Sequence, residues 1–265
     1  MNELVIDVGN TETVAGLFAP GSLEVLAECR YVTSVPRTPE ELALLIRGLL
    51  AEAGYGEVEI VRSVLGSVVP SHTEVLTAAI GLLGGGRVIV LEGAEGLPIR
   101  LDVDELPGGV GVDRIANTLA AAELYRRDTL VVDLGTATTY DCITAAGVFS
   151  GGVIAPGLRA GEEWLAGKTA RLPRVSFRPP AEVIGRRTEA CVQSGVFYSA
   201  IDAVDGLAGR ILEEWGRPDA LVVATGGHAR AVAGHSRYVS TVNPELTLVG
   251  LQIAGNRLAG GDSAG

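Results

Sequence analysis

Two stretches of this 265-residue chain set the same residue types into the same local pattern. Near the N-terminus Leu4-Val5-Ile6-Asp7-Val8-Gly9-Asn10-Thr11 runs into Thr13-Val14-Ala15-Gly16-Leu17-Phe18. Near the middle Leu130-Val131-Val132-Asp133-Leu134-Gly135-Thr136-Ala137-Thr138-Thr139 runs into Tyr140-Asp141-Cys142-Ile143. Each reads as an apolar strand ending in Asp-x-Gly, a turn bearing threonine, and a returning strand. A carboxylate at a strand end beside a glycine turn lies next to backbone N–H groups that can point at a phosphate. Thr11, Thr13, Thr136 and Thr138 add hydroxyl donors, and Asp7 and Asp133 could hold a cation that offsets phosphate charge. One copy alone would more simply close a hairpin, whereas two copies in the same context favour phosphate binding.

Two other segments could do chemistry. Val222-Val223-Ala224-Thr225-Gly226-Gly227-His228-Ala229 reads as a strand, a glycine turn and a helix start, with room for adenine or phosphate; an ordinary βα turn fits it equally well. Asp113, in Gly108-Gly109-Val110-Gly111-Val112-Asp113-Arg114, precedes an amphipathic helix. Spacing alone favours a helix N-cap there. The sharper reading is a general base that takes a proton from a hydroxyl attacking a γ-phosphate, with Arg114 adding positive charge. His72, His228 and His235 lack metal-ligand spacing, and no Gly-x-Ser-x-Gly elbow or Cys/His pair offers a covalent nucleophile.

Positioning these residues needs layered α/β structure, and short apolar runs do alternate with Ala/Leu-rich helical patterns along the chain. The patterns predict strands at 3–8, 13–18, 60–66, 87–91, 129–134, 138–144, 148–154, 220–224 and 238–240. They predict helices at 39–53, 71–83, 113–126, 159–167, 188–215, 227–234 and 245–258. The repeat implies two similarly folded lobes, 1–118 and 119–265, facing each other across a cleft. The tail from Gly260 is expected to be unstructured.

Composition narrows the partners. With 21 Lys+Arg against 32 Asp+Glu the net charge is −11, and no basic run offers a nucleic-acid surface. Lys168 is the single lysine and has no glycine-rich lead-in, which excludes a Walker-type loop. Three widely spaced cysteines fit neither a disulfide framework nor a zinc site, and the N-terminus carries no signal-like segment. The longest uncharged stretch, 142–158, is too short and too broken by Gly and Pro to span a bilayer. A cytoplasmic protein with no membrane or nucleic-acid partner is therefore expected.

Taken in order, the motifs resemble the type III pantothenate kinases of the acetate and sugar kinase, heat-shock 70 and actin superfamily. The matching residues are Asp7 to Thr11, Ser67-Val68-Val69-Pro70, Gly111 to Arg114, Asp133 to Thr139, and Gly151-Gly152-Val153-Ile154-Ala155-Pro156-Gly157. The series continues through Leu172-Pro173, Ile184-Gly185 with Thr188, Gln193-Ser194-Gly195 and Thr225-Gly226-Gly227. The resemblance implies two actin-like (ribonuclease H-like) lobes with mixed sheets flanked by helices, and ATP-dependent phosphorylation of pantothenate, the first step toward coenzyme A. It implies Asp113 as proton acceptor. It gives ATP contacts at Asp7, Val8, Gly9, Asn10, Thr11, Glu12, Thr13, Val14 and Thr136. Gly111, Val112, Asp113, Arg114 and Thr188 match pantothenate-contacting positions, Thr188 being supplied across a homodimer interface, and Asp133 matches the ligand of potassium or ammonium. Magnesium would accompany ATP. Two positions depart from the family pattern: Asp104 stands where a substrate-contacting Tyr is common, and the usual Glu-Val-Gly-Ala-Asp-Arg is Gly109-Val110-Gly111-Val112-Asp113-Arg114. The alternative readings are a regulatory relative that only binds nucleotide, a kinase for another small alcohol and, more distantly, an actin-like filament protein.

Overall fold

The chain is described here by a computed structural model covering residues 1–104, 108–169 and 172–261. Residues Met1–Leu124 with Glu245–Gly265 form one compact unit and Tyr125–Pro244 a second. The sequence boundary at 118/119 differs from this division, because the chain returns to the first unit for its last helix.

In the first unit β1 (Asn2–Val8) pairs antiparallel with β2 (Glu12–Phe18), which pairs antiparallel with β3 (Val25–Val32). On its other side β1 pairs parallel with β4 (Ile60–Ser67), and β4 parallel with β5 (Arg87–Leu91), giving the order β3-β2-β1-β4-β5. Leu4, Ile6 and Val8 point to one face and pack with Leu42 and Ile46 of α1 (Pro39–Glu52) and Leu76 and Ile80 of α2 (Pro70–Leu82). Thr38 opens α1 with a capping box to Glu41, and Pro39 follows it, as that turn's sequence predicts. In sequence the short β6 (Arg100–Leu101) and α3 (Val112–Tyr125) follow β5. The other sheet face carries α7 (Leu246–Gly261), whose Gly255 backs onto Val64 and whose Leu248 and Leu251 fill the space left by Gly16 and Gly66. A buried polar knot fastens it there. Arg62 donates to Glu3 Oε2 at 2.8 Å and to the Gly255 carbonyl at 3.0 Å, and Gln252 also donates to Glu3.

The second unit repeats this plan. β7 (Thr129–Leu134), β8 (Ala137–Ile143) and β9 (Val148–Pro156) form the antiparallel side, β10 (Leu221–Thr225) and β11 (Thr241–Val242) the parallel side. These five strands, in the order β11-β10-β7-β8-β9, match those of the first sheet one for one. The helices are α4 (Ala160–Lys168), α5 (Thr188–Glu214) and the one-turn α6 (Ala229–Ala233). Phe197, Ile201, Val204, Ala208 and Leu212 make a helical stripe on α5 that packs on Leu130, Val132, Leu134 and Tyr140.

Three features differ from the sequence reading. β3 is an unanticipated edge strand in which buried Ala27, Cys29 and Tyr31 alternate with outward Glu28 and Arg30. β11 lies at 241–242 instead of 238–240, and α7 extends to Gly261, while residues 262–265 of the expected tail lie outside the described residues. Among the described residues no helix is long and apolar enough to cross a membrane.

Candidate active site

In the first unit the β1–β2 turn is built by Gly9, whose N–H donates to the Glu12 carbonyl at 3.1 Å. Thr33 of the segment after β3 braces it from the side: its N–H donates to the Thr11 carbonyl at 2.9 Å, and its hydroxyl is 2.9 Å from that of buried Thr13. Asn10, Thr11 and Glu12 form the exposed tip, with Asp7, Gly9 and Val14 half-buried beneath it and Val8 buried. The end of β4 is tied to the same place, since the Val68 N–H donates to the Val8 carbonyl at 3.1 Å. Ser67-Val68-Val69-Pro70 is thus the strap from β4 into α2.

Asp113 joins this group. A Cβ on Gly111 would lie 2.5 Å from Asp113 Oδ1 and 3.8 Å from Val68 Cγ1, so the Asp113 carboxylate occupies the space a side chain at 111 would need. The Asp7 turn, the Val68 strap and the Gly111–Arg114 segment therefore meet at the carboxyl ends of parallel strands β1 and β4, where open α/β sheets bind ligands. The N-cap expectation for Asp113 is corrected. The helix begins at Val112, so Asp113 is its second residue, and its Oδ1 accepts the Arg114 N–H at 2.9 Å. A carboxylate there is favoured by the unpaired N–H groups of the first helical turn. Both Asp113 and Arg114 are half-buried, while Val112 is buried.

In the second unit Asp133 is the next-to-last residue of β7, in register with Thr139 of β8 and Thr225 of β10. Residues in register across adjacent strands share a face, so a hydroxyl flanks the carboxylate on either side. The Thr139 and Thr225 hydroxyls are buried without a protein hydrogen-bond partner, as is that of Thr138. Gly226, at φ 84°, brings its backbone against Asp133: a Cβ there would lie 2.6 Å from Asp133 Oδ1. The Thr225-Gly226-Gly227 motif and the Asp133 loop are one site. A carboxylate flanked by two unsatisfied hydroxyls fits a cation that takes oxygen ligands. Among the described residues no cluster of three or more His, Cys, Asp or Glu could hold a metal.

Thr136 is exposed at the tip of the β7–β8 turn. Thr188 is the exposed first residue of α5, on the rim of an open apolar groove of about 510 Å³ lined also by Trp164, Leu165, Leu172 and Val192. Asp104 is exposed, next to residues 105–107 outside the description. Burial, and secondarily Glu28, pushes the Cys29 thiol up to about 11, so it stays protonated and is no nucleophile. The sequence motifs contained Val68, Thr139 and Thr225 but assigned none of them a role of its own. The Thr138-Thr139 doublet and the threonine ending β10 were the available signals.

Residues 3–210 match the profile of the type III pantothenate kinases. A relative named type III pantothenate kinase, from Moorella thermoacetica, is 41% identical over 256 residues, covering 96% of this chain and 98% of its own. The chain belongs to the type III pantothenate kinase family. As a member it is an enzyme, a kinase, and kinases of this family use ATP, generally with a divalent metal ion. Among solved structures, component A of (R)-2-hydroxyglutaryl-CoA dehydratase from Acidaminococcus fermentans is similar at TM-score 0.58 and 14% identity, over 98% of this chain and 99% of that one. A ROK family glucokinase from Streptomyces griseus is similar at TM-score 0.52 and 13% identity, over 97% and 100%. These likenesses bear on the fold alone: two mixed sheets flanked by helices, as the family resemblance implied.

Proposed function

We propose that this enzyme phosphorylates pantothenate with ATP to give 4'-phosphopantothenate and ADP, the first step of coenzyme A biosynthesis. Full-length similarity to pantothenate kinases carries the substrate assignment, and the meeting of the Asp7 turn, Val68 and Asp113 in one unit supports the assignment of roles. Asp7, Val8, Gly9, Asn10, Thr11, Glu12, Thr13 and Val14, with Thr136, contact ATP. Gly111, Val112, Arg114 and Thr188 contact pantothenate. The Asp113 carboxylate accepts the proton of the primary hydroxyl as that oxygen bonds to the γ-phosphorus. The bond from the γ-phosphorus to the β–γ bridging oxygen breaks and ADP leaves. Asp133, with the hydroxyls of Thr139 and Thr225, holds potassium or ammonium, which when bound supplies positive charge against the phosphates; magnesium arrives with ATP. The enzyme acts as a homodimer in the cytoplasm, and the apolar groove beside Thr188 supports a partner subunit there.

The test is ADP release with ATP, magnesium and potassium, with and without pantothenate, and the mass of the product. Pantothenate-dependent release of a phosphorylated product is expected, and Asp113→Asn should lower it by roughly 10²–10⁴-fold while leaving ATP binding intact. ATP binding without any pantothenate-dependent release overturns the substrate assignment, leaving the regulatory relative or another alcohol, for which Asp104 in place of the family's Tyr would be the first residue to probe.

A further inference from the structure

Positions 113, 116, 117 and 120 fall on one stripe of α3, because residues three and four apart stack on the same helix face. Asp113 is half-buried at the top of that stripe, while Ala116, Asn117 and Ala120 below it are fully buried. The element covering the stripe is α7. Its Thr247 hydroxyl donates to Asn117 Oδ1 at 2.9 Å, and a Cβ on Gly250 would lie 2.0 Å from the Ala116 carbonyl oxygen. Backbone therefore meets backbone one turn below Asp113, with the Thr247–Asn117 hydrogen bond beside it. Further along, α7 is anchored through Gly255 on Val64 and the Glu3–Arg62–Gln252 knot to strands β1 and β4, whose ends carry the Asp7 turn and the Val68 strap, and an exposed Arg257–Glu123 ion pair at 3.7 Å reaches the far end of α3. One helix thus spans the distance from the sheet to α3.

We propose that Thr247 and Gly250 are positioning residues for Asp113: α7 sets the height and rotation of the first turn of α3, and with them the reach of the carboxylate. The proposal rests on the reading of Asp113 as proton acceptor. A base acts only within hydrogen-bond distance of its proton, and a misplacement of about 1 Å can cost up to about 10²-fold. Removing the Thr247 hydroxyl loosens the N-terminal turns of α3 that carry Asp113, whereas crowding α7 at Gly255 acts two turns away from them.

The experiment compares the intact enzyme with Thr247→Val, Thr247→Ser, Gly255→Ala, Asp113→Asn and the Thr247→Val/Asp113→Asn double variant. It reads kcat, KM for ATP, and amide exchange at Ile115, whose N–H donates to the Gly111 carbonyl at 3.1 Å. Thr247→Val should lower kcat about 5–20-fold, leave KM for ATP within about twofold, and speed exchange at Ile115. Thr247→Ser should restore turnover, and Gly255→Ala should lower the melting temperature with kcat within about twofold. In the double variant Thr247→Val should cost nothing beyond Asp113→Asn, since a residue acting through another adds no loss once that other is gone. Wild-type kcat in Thr247→Val, an equal loss in both backgrounds, or a matching kcat loss in Gly255→Ala overturns the proposal. Wild-type turnover in Asp113→Asn overturns instead the role of Asp113. Exchange at Ile115 needs no substrate, so unchanged exchange in Thr247→Val removes the mechanical link whatever the reaction is.

Discussion

Asp7 and Asp133 hold the same station in two sheets of the same strand order, each at the carboxyl end of a central strand, yet their neighbours differ. Across the sheet Asp7 faces Val14 on one side and Gly66 on the other, and the space above Gly66 is filled by Leu251 of α7, which would lie 2.6 Å from a Cβ there. Asp133 faces Thr139 and Thr225, whose buried hydroxyls have no protein partner. The turns differ too: Val8 pairs with Thr13 across four residues, Leu134 with Thr138 across three. A duplicated backbone fixes where a carboxylate stands; the residues in register beside it decide what it can hold. Thr139 and Thr225 set hydroxyl oxygens in register beside Asp133 where Val14 and Gly66 set none beside Asp7, which supports the proposed placement of the monovalent ion at Asp133.

The largest effect that would break this contrast is loss of the ion response from the wrong half. Asp133→Asn should lower kcat by about 10²-fold and abolish stimulation by potassium, while the residual activity of Asp7→Asn should still rise with potassium; titrating each against potassium at constant ionic strength checks it. Next, Gly226→Ala should lower kcat about tenfold or more, because a Cβ at φ 84° is strained and presses on Asp133 Oδ1, displacing it. Thr225→Val should raise the potassium concentration for half-activation about three- to tenfold with a smaller change in kcat, since one ligand oxygen goes and the carboxylate stays. On the first half Gly66→Ala should act on stability alone, lowering it by about 1–3 kcal/mol by crowding Leu251, as read from denaturant melts.

A final, smaller effect separates the halves by acid. Asp205 of α5 is buried, which by itself raises its pKa, but the Ser236 hydroxyl at 2.6 Å and the Arg237 N–H groups outweigh that and hold the carboxyl below its ordinary value. A folded-state pKa below the unfolded one contributes stability above the ordinary carboxylate range, and that contribution is lost as pH falls through the folded value. The second half should therefore lose this support below about pH 4, and Asp205→Asn should flatten the acid limb of its melting curve.

Much of this was legible in the sequence because local signals and tertiary roles agree. The Asp7 and Asp133 turns declare themselves by Asp-x-Gly between apolar runs, and Thr38-Pro39 with Glu41 announces α1. β3 was illegible as a strand because Glu28 and Arg30, on its solvent side, dilute the apolar signal that Ala27, Cys29 and Tyr31 carry at every second position. The hydroxyls beside Asp133 come from strands about 6 and 90 residues away in sequence, and only strand register makes them neighbours. Val68 and Asp113 likewise meet through Gly111, a contact that depends on where α3 docks.

That α7 follows the second unit in sequence but completes the first has a bearing on synthesis. Residues 125–244 form a contiguous stretch with its own sheet and core, available as soon as it clears the ribosome. The N-terminal unit, although made first, has Glu3 and Arg62 without Gln252 and the Gly255 carbonyl until the last twenty or so residues emerge. A polypeptide cut short before α7 would thus leave its earlier unit unfinished, and nascent-chain proteolysis should find residues 125–244 protected before residues 1–124.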